Sequence, residues 1–253
     1  MSYYIIKPSP DLSSLVGYFW VADRAEKDSF DTYYSTADTF TKMVFAFTDA
    51  DRGDLLFSGV QGQTKKAEQF PTSGFSQMIG VALFPHAIPL VFGLSPQELN
   101  DQMMELPPLL RNREEGLHEM LCMAKSGRER VNILSSYLKN KLLGQEWVKD
   151  KSIIKALFEI RQLKGNINIT EFIDHYFLSQ KQFERKFLGY SGFTPKLYAR
   201  IVRFENSVAD YHKFSTLTEL AYASGYYDQA HFIHDFKKFA GFSPRQYFSL
   251  MGV

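Results

Sequence analysis

One phrase occurs twice in this chain. Gly192-Phe193-Thr194-Pro195-Lys196-Leu197-Tyr198 returns as Gly241-Phe242-Ser243-Pro244-Arg245-Gln246-Tyr247, 49 positions later. Phe183 and Phe187 return as Phe232 and Phe236 at the same offset, and Thr170-Glu171-Phe172 is answered by Thr218-Glu219-Leu220 at an offset of 48. A unit repeated at this length builds two similar substructures, an arrangement suited to a partner that is itself periodic. The repeated Gly-Phe-Thr/Ser-Pro segments have the chemistry of a helix stop followed by the cap of the next helix.

The charge is divided along the same line. The whole chain of 253 residues nets +1. From Lys151 onward it holds 14 Lys and Arg against 9 Asp and Glu, a net of +5, which leaves −4 for the rest. A basic tail behind an acidic front suits a polyanionic partner for the tail alone. The single cysteine, Cys122, excludes an internal disulfide and a Cys-rich zinc site, and its use fits a reducing, cytoplasmic setting. No basic-then-apolar leader opens the sequence. The most apolar stretch, Val81 to Leu94, is too short for a membrane span and carries Pro85, His86 and Pro89. No membrane partner is expected.

Residues 1–144 read as a β-rich domain with helices. Val16 to Trp20, Lys42 to Phe47, Asp54 to Phe57 and Phe75 to Phe84 are short runs of aromatic and branched residues. Turn formers at Thr48 to Gly53, Gly59 to Gly62 and Pro71 to Gly74 separate them. Such spacing predicts an antiparallel sheet, barrel- or sandwich-like. Ser95-Pro96-Gln97-Glu98 predicts a helix start in which Glu98 reaches back. Arg128 to Leu143 predicts a longer helix with Val131, Leu134, Leu138 and Leu142 on one face and Gly144 as its stop. Residues 145–150 form the linker. No phosphate loop, nucleophile elbow or His-Glu-x-x-His helix occurs, and His86 and His118 are isolated. Phe19, Trp20, Phe45, Phe47, Phe75 and Phe84 are candidates to line an apolar pocket, with plain core packing as the commoner use of such residues.

Residues 151–253 predict an all-α domain of two helix-turn-helix units, near 167–188 and 216–238. In the first, Thr170 opens a short helix, Ser179 caps the next, and Phe183 and Phe187 face inward. Lys181, Gln182, Arg185, Ser179 and Gln180 then point elsewhere. In the second, Leu217 to Ala223 is followed by a turn at Gly225, and Asp228 caps Gln229 to Phe239. Gln229, Ala230, His231 and His234 are left outward. A helix in this arrangement fits the major groove, where long polar side chains read base edges. Leu197, Ile201, Phe204 and Val208 predict a linker helix within Pro195 to Phe214, able to hold the two readers on successive grooves.

The tail resembles the DNA-binding domain of AraC/XylS-type transcriptional regulators. Leu220 to Phe232 and Phe236 to Pro244 carry the most specific likeness, and Ser179, Phe183, Arg185, Phe187, Gly192, Pro195 and Arg203 fit the same pattern in the first copy. The resemblance implies a bacterial, sequence-specific regulator that binds double-stranded DNA, without cofactor or metal. By position it assigns DNA contact to Ser179, Gln180, Lys181, Gln182 and Arg185, and to Gln229, Ala230, His231 and His234. Two departures stand out in the first copy: Phe177 replaces a turn glycine and Ile173 an alanine. In the second, Ala230 and His234 replace long reading side chains, so the first unit is expected to specify and the second mainly to hold. Phe75 to Leu110 resembles the variable front domains found on such tails, which sense a small-molecule effector or mediate dimerisation. RNA polymerase and a second copy of the chain are partners the resemblance admits, and it admits an activator while leaving activation and repression both open.

Four residues have other readings. His231 and His234 have the spacing of a metal pair, but no third ligand accompanies them. Arg203 reads as a structural salt-bridging residue. Cys122 is the one nucleophile available to a DNA-targeted alkyl-transfer or repair enzyme, which would need it activated. A front domain that only docks another protein is the further alternative.

Overall fold

The computed structural model describes residues 2–23, 32–48, 53–106, 116–142 and 150–251. Most of the expected linker, and the helix stop at Gly144, lie outside them. The chain divides into two compact bodies. The first comprises Met1–Tyr33, Phe40–Gln63 and Phe70–Trp147; the second comprises Val148–Val253 together with Tyr34–Thr39 and Thr64–Gln69.

The first body is built on an antiparallel sheet. Its strands are β1 (Ser2–Ile6), β2 (Val16–Asp23), β4 (Thr41–Phe47), β5 (Leu55–Gln61), β7 (Gln77–Leu83) and β8 (Met103–Glu105), in the order β1-β2-β7-β4-β5-β8. A separate ribbon pairs β3 (Thr32–Ser35) with β6 (Glu68–Pro71). This is the antiparallel β-rich class expected. Two details differ from the expected turns: Gly59, Val60 and Gln61 belong to β5, and Pro71 ends β6. Gly59 sits opposite Val44 and Glu105, where a Cβ would strike the Phe57 ring and the Met104 carbonyl. Close strand approach, not a chain reversal, requires that glycine.

Strand alternation sorts the aromatic residues. Phe19, Val21, Met43, Phe45, Phe47, Ile79 and Val81 share one face with Leu121, Val131, Leu134 and Leu138, all in one buried cluster. The helices covering that face are α1 (Ile88–Phe92), α2 (Pro96–Leu99), α3 (Leu117–Met123) and α4 (Gly127–Leu142). Val131, Leu134 and Leu138 on α4 are fully buried, as their spacing predicts, and Leu142 is partly so. At the start of α2 the Ser95 N–H donates to Glu98 Oε2 at 2.7 Å, the expected reach-back. Arg130, fully buried, donates to the Leu121 carbonyl and to Gln77 Oε1, and its guanidinium lies 3.8 Å from the Phe47 ring centre. Its charge is thus hydrogen-bonded and stacked rather than left bare in the core. His86 is also internal: Nε2 lies 2.7 Å from the Ser14 carbonyl, and burial lowers its pKa to about 4, so it is neutral at ordinary pH. His118 is exposed.

The second body contains seven helices among its described residues: α5 (Lys151–Gln162), α6 (Ile169–Asp174), α7 (Gln180–Ser191), α8 (Pro195–Asp210), α9 (Leu217–Ala223), α10 (Gln229–Ala240) and α11 (Pro244–Met251). Phe183, Phe187, Phe204, Phe232, Phe236 and Phe239 make an aromatic core with Ile153, Leu157, Ile160 and Ile201. Both repeated phrases have the same geometry. Gly192 and Gly241 end α7 and α10 in the left-handed region, φ +75° and +77°, and a proline follows as the first residue of α8 and α11. Thr194 caps α8 through its hydroxyl. α8 continues for 16 residues, about 24 Å, before a short 3-10 turn at Tyr211–Lys213.

Candidate nucleic-acid interface

Each helix-turn-helix unit is framed by its caps. In the first, Asn168 caps α6 by accepting from the Thr170 N–H, and Ser179 caps α7. The Ser179 hydroxyl accepts from the Gln182 N–H, while Gln182 Oε1 takes the Ser179 N–H at 3.2 Å and its hydroxyl at 3.1 Å. This reciprocal box satisfies donors that a helix start otherwise leaves open. In the second unit Thr216 and Glu219 form such a box at α9, and Asp228 caps α10 by accepting from the His231 N–H at 2.7 Å.

The caps decide which candidate side chains remain free. Ser179 and the carbonyl end of Gln182 are engaged in the cap, and the Gln180 amide donates to Glu184 Oε1 at 2.9 Å. Lys181 and Arg185 are exposed, one turn apart on α7, and no hydrogen bond or ion pair engages either among the described residues. Phe183 and Phe187, between and behind them, are fully buried. On α10, Gln229 Oε1 accepts from the Thr218 hydroxyl at 2.7 Å. Ala230, His231 and His234 are exposed. The His231 ring meets Tyr226 edge-on, and its Nε2 is 3.9 Å from Asp235. Among the described residues no group of three or more His, Cys, Asp or Glu is placed to hold a metal.

The supports behind the two helices differ. Asp235 on α10, 1% exposed, receives a forked pair from Arg200 on α8: Nη2 at 2.5 Å and Nε at 3.1 Å. That geometry is the strong, orienting form of an arginine–carboxylate contact. At the position equivalent to Asp235, α7 has Lys186, which makes a single and more exposed contact to Asp150 at 2.7 Å. Arg203 donates to the Gly165 carbonyl and lies over the Tyr226 ring. The sequence reading missed the Asp235–Arg200 fork. Its signal was an acidic residue at a position where Phe232, Phe236 and Phe239 imply an inward face.

The turns differ as well. Gly225 has φ +76°, and a Cβ there would lie 2.6 Å from the Asn166 side chain. In the first unit the left-handed position is held by Phe177, at φ +53°. The loss of the turn glycine does not rebuild the first turn: Phe177 takes the left-handed conformation that a glycine would hold there.

Residues 34–39 join this body through a buried polar cluster. Thr39 donates its N–H and hydroxyl to Glu205 Oε1 at 2.8 and 2.7 Å, and Arg161 donates to Thr39 Oγ1 at 2.7 Å and Glu205 Oε2 at 3.1 Å. Burial pushes the Glu205 carboxyl above its ordinary range, against the pull of Arg161. The Ala37 N–H donates to the Phe239 carbonyl at the end of α10.

The first body holds a cavity of about 220 Å³ on the sheet face opposite α4. Trp20, Val44, Phe57, Phe75, Met78 and Met103 line it, and Lys42, Gln61 and Thr72 are its polar neighbours. Trp20 and Val44 both stand opposite Gly80, and the absent side chain there gives the Trp20 ring its room. Of the six aromatic pocket candidates, Trp20 and Phe75 line this cavity. Phe19, Phe45 and Phe47 lie on the other face, in the core, because their strand positions have the opposite parity. Phe84 packs on Phe40 and His86 instead.

A helix, a turn and a capped second helix, set twice around one aromatic core, define a double helix-turn-helix domain. Residues 173–249 match a helix-turn-helix domain family, and residues 4–105 match a domain of unknown function, DUF6597. The chain thus carries a helix-turn-helix domain behind a DUF6597 domain. Two structures of ToxT from Vibrio cholerae share the fold. One, at 1.65 Å resolution, aligns over 99% of both chains with a TM-score of 0.51 and 12% identity. The other, from strain O395, aligns over 92% of this chain and 97% of its own, with a TM-score of 0.50 and 14% identity. No curated protein matches the chain in sequence.

Proposed function

We propose that the chain is a sequence-specific regulator of transcription, with α7 reading bases and α10 mainly holding the duplex. The observation that carries this is the pair of free cations, Lys181 and Arg185, on the exposed face of a capped second helix. A net charge of +5 from Lys151 onward supplies the attraction to phosphates. Arg185 suits a bidentate contact to guanine, and Lys181 a phosphate. The caps on α7 and α10 present helix N-termini to the backbone. Capture of genomic fragments by the full chain, followed by footprinting, tests this. A reproducible site spanning two adjacent groove segments supports the assignment, and binding without sequence preference refutes it.

In this reading the front domain is a sensor for a compact apolar molecule, taken up in the cavity beside Trp20 and Phe75. Such a ligand would raise the thermal midpoint of the chain, and above its Kd the rise would grow with the logarithm of its concentration. A Val44→Trp variant, which fills the space, should lose that response while its unliganded midpoint stays close to wild type. Cys122 lies half-buried in α3, with no hydrogen bond or ion pair to activate it among the described residues. That favours the regulator over the alkyl-transfer reading. Activation, RNA polymerase contact, pairing of two copies and a cytoplasmic location belong to the same proposal. They are compatible with the absence, among the described residues, of any helix long and apolar enough to cross a membrane.

A further inference from the structure

Two aromatic side chains stand in solvent just ahead of the caps of the second helices, one in each unit, and the fold makes no use of either. In each unit a tyrosine packs against the first core phenylalanine of the recognition helix: Tyr176 on Phe183 and Tyr226 on Phe232, both with ring centres 5.2 Å apart. In each unit the next residue is a second aromatic turned outward. Phe177 is 97% exposed and Tyr227 is 86% exposed. Neither makes a ring contact, hydrogen bond or ion pair among the described residues. Phe177 precedes the cap Ser179 by two residues and Tyr227 directly precedes the cap Asp228.

Phe177 is unfavourable for the free protein on two counts. Its ring is in water, and its φ of +53° is one that a residue with a bulky side chain adopts at a cost and glycine adopts freely. Strain of this kind persists where a function uses it. The location indicates which one. When a helix-turn-helix docks, the N-terminal residues of its second helix meet base edges, so the chain just ahead of the cap lies along the groove wall. A flat, uncharged ring there meets deoxyribose edges and thymine methyl groups.

We infer that Phe177 and Tyr227 are DNA contacts, one for each unit, which add affinity through apolar packing rather than through charge. This rests on the proposed DNA-binding function. It separates two terms: Lys181 and Arg185 supply the salt-sensitive part of binding, and the rings a part that salt leaves alone.

The test uses the full chain and a duplex recovered in its own fragment capture. Wild type, Phe177→Gly, Phe177→Asn and Tyr227→Ser are titrated at two salt concentrations, and the thermal midpoint of each is recorded. Phe177→Gly should bind about tenfold more weakly, the effect of desolvating part of one phenyl ring. The loss should be the same at both salts, with a thermal midpoint equal to or above that of wild type. Phe177→Asn, which also tolerates the left-handed backbone, should repeat the loss, and Tyr227→Ser should show a smaller one. Weaker binding by a protein at least as stable separates a contact from a structural role. Undiminished affinity of both Phe177 variants overturns the inference while wild-type binding upholds the functional reading, and would point to a protein partner for the rings. Failure of wild type to bind any duplex overturns the functional reading and the inference together.

Discussion

The two helix-turn-helix units share an aromatic frame and differ in where their polar groups are committed. On α7 the polar groups at the N-terminus serve the cap, Lys181 and Arg185 stay free among the described residues, and the ion pair behind the helix is the half-buried, one-bond contact Lys186–Asp150. On α10 the support is the buried fork between Asp235 and Arg200, Gln229 is tied to Thr218, and the free positions carry Ala230 and His234. One unit spends its chemistry outward and the other inward. In a duplicated fold this is how two copies separate: the buried phenylalanines keep the frame, while each exposed position is free to change. The proposed division into a reading unit and a holding unit follows from that distribution.

The largest expected difference lies in the supports. Asp235→Ala strands the Arg200 guanidinium and removes a two-bond clamp between α8 and α10, at a cost of about 3 kcal/mol, the low end for a buried pair because Arg200 is partly exposed. Lys186→Ala removes one contact whose lysine stays largely in water, and should cost less than about 1 kcal/mol. Denaturant unfolding of the two variants measures both. Equal losses would mean that the units are supported alike, and the comparison would fail at its base.

How much of this the sequence disclosed depends on whether the relevant contacts are local. Caps at Ser179 and Asp228, turns at Gly225 and Phe177, and the faces set by Phe183 and Phe187 are decided within a few residues, so spacing exposed them. The link from Thr39 to Glu205 spans 166 positions and joins residues with no periodic signature. The segments 34–39 and 64–69 therefore gave no sign that they belong to the second body. β1, β3, β6 and β8 escaped notice because they are short and half-exposed, without clear alternation. The cavity was half legible. Aromatic runs marked Trp20 and Phe75, and strict alternation along β2 and β4 would have removed Phe19, Phe45 and Phe47, which lie one position out of phase with Trp20 and Val44.

The next difference concerns reading. Arg185→Ala should cost about 1–3 kcal/mol of specific binding and relax the preference at one base position, the usual result of losing a bidentate base contact. His234→Ala, at the equivalent place, should cost no more than about 0.5 kcal/mol, as a surface change does. Competition titrations with randomised duplexes read both affinity and preference. A His234 variant that alters preference as much as the Arg185 variant would show two reading units rather than one.

The turns offer a smaller contrast. Gly225→Ala forces a Cβ into the left-handed region and against Asn166, at a cost of about 1–2 kcal/mol. The first unit tolerates a full side chain at this conformation in Phe177, because that side chain points into open solvent. Thermal unfolding of the Gly225→Ala variant checks the expected loss. A neutral result would mean that Asn166 moves aside and that the two turns are equally permissive.

The smallest effect is the most direct test of whether α10 lies on the duplex at all. Lys181 on α7 corresponds to Ala230 on α10, with the same offset of 49 that relates the core phenylalanines. If Lys181 neutralises one phosphate, Lys181→Ala should flatten the dependence of log K on log salt by about 0.9. The reverse change, Ala230→Lys, should steepen it by a similar amount, because the new ammonium would meet the backbone that the holding unit grips. The exposed methyl of Ala230 leaves room for the longer side chain, so the variant should fold as wild type does. A steeper slope with unaltered site preference would identify α10 as a helix that touches DNA without reading it. An unaltered slope would place α10 away from the phosphates and confine DNA contact to the first unit.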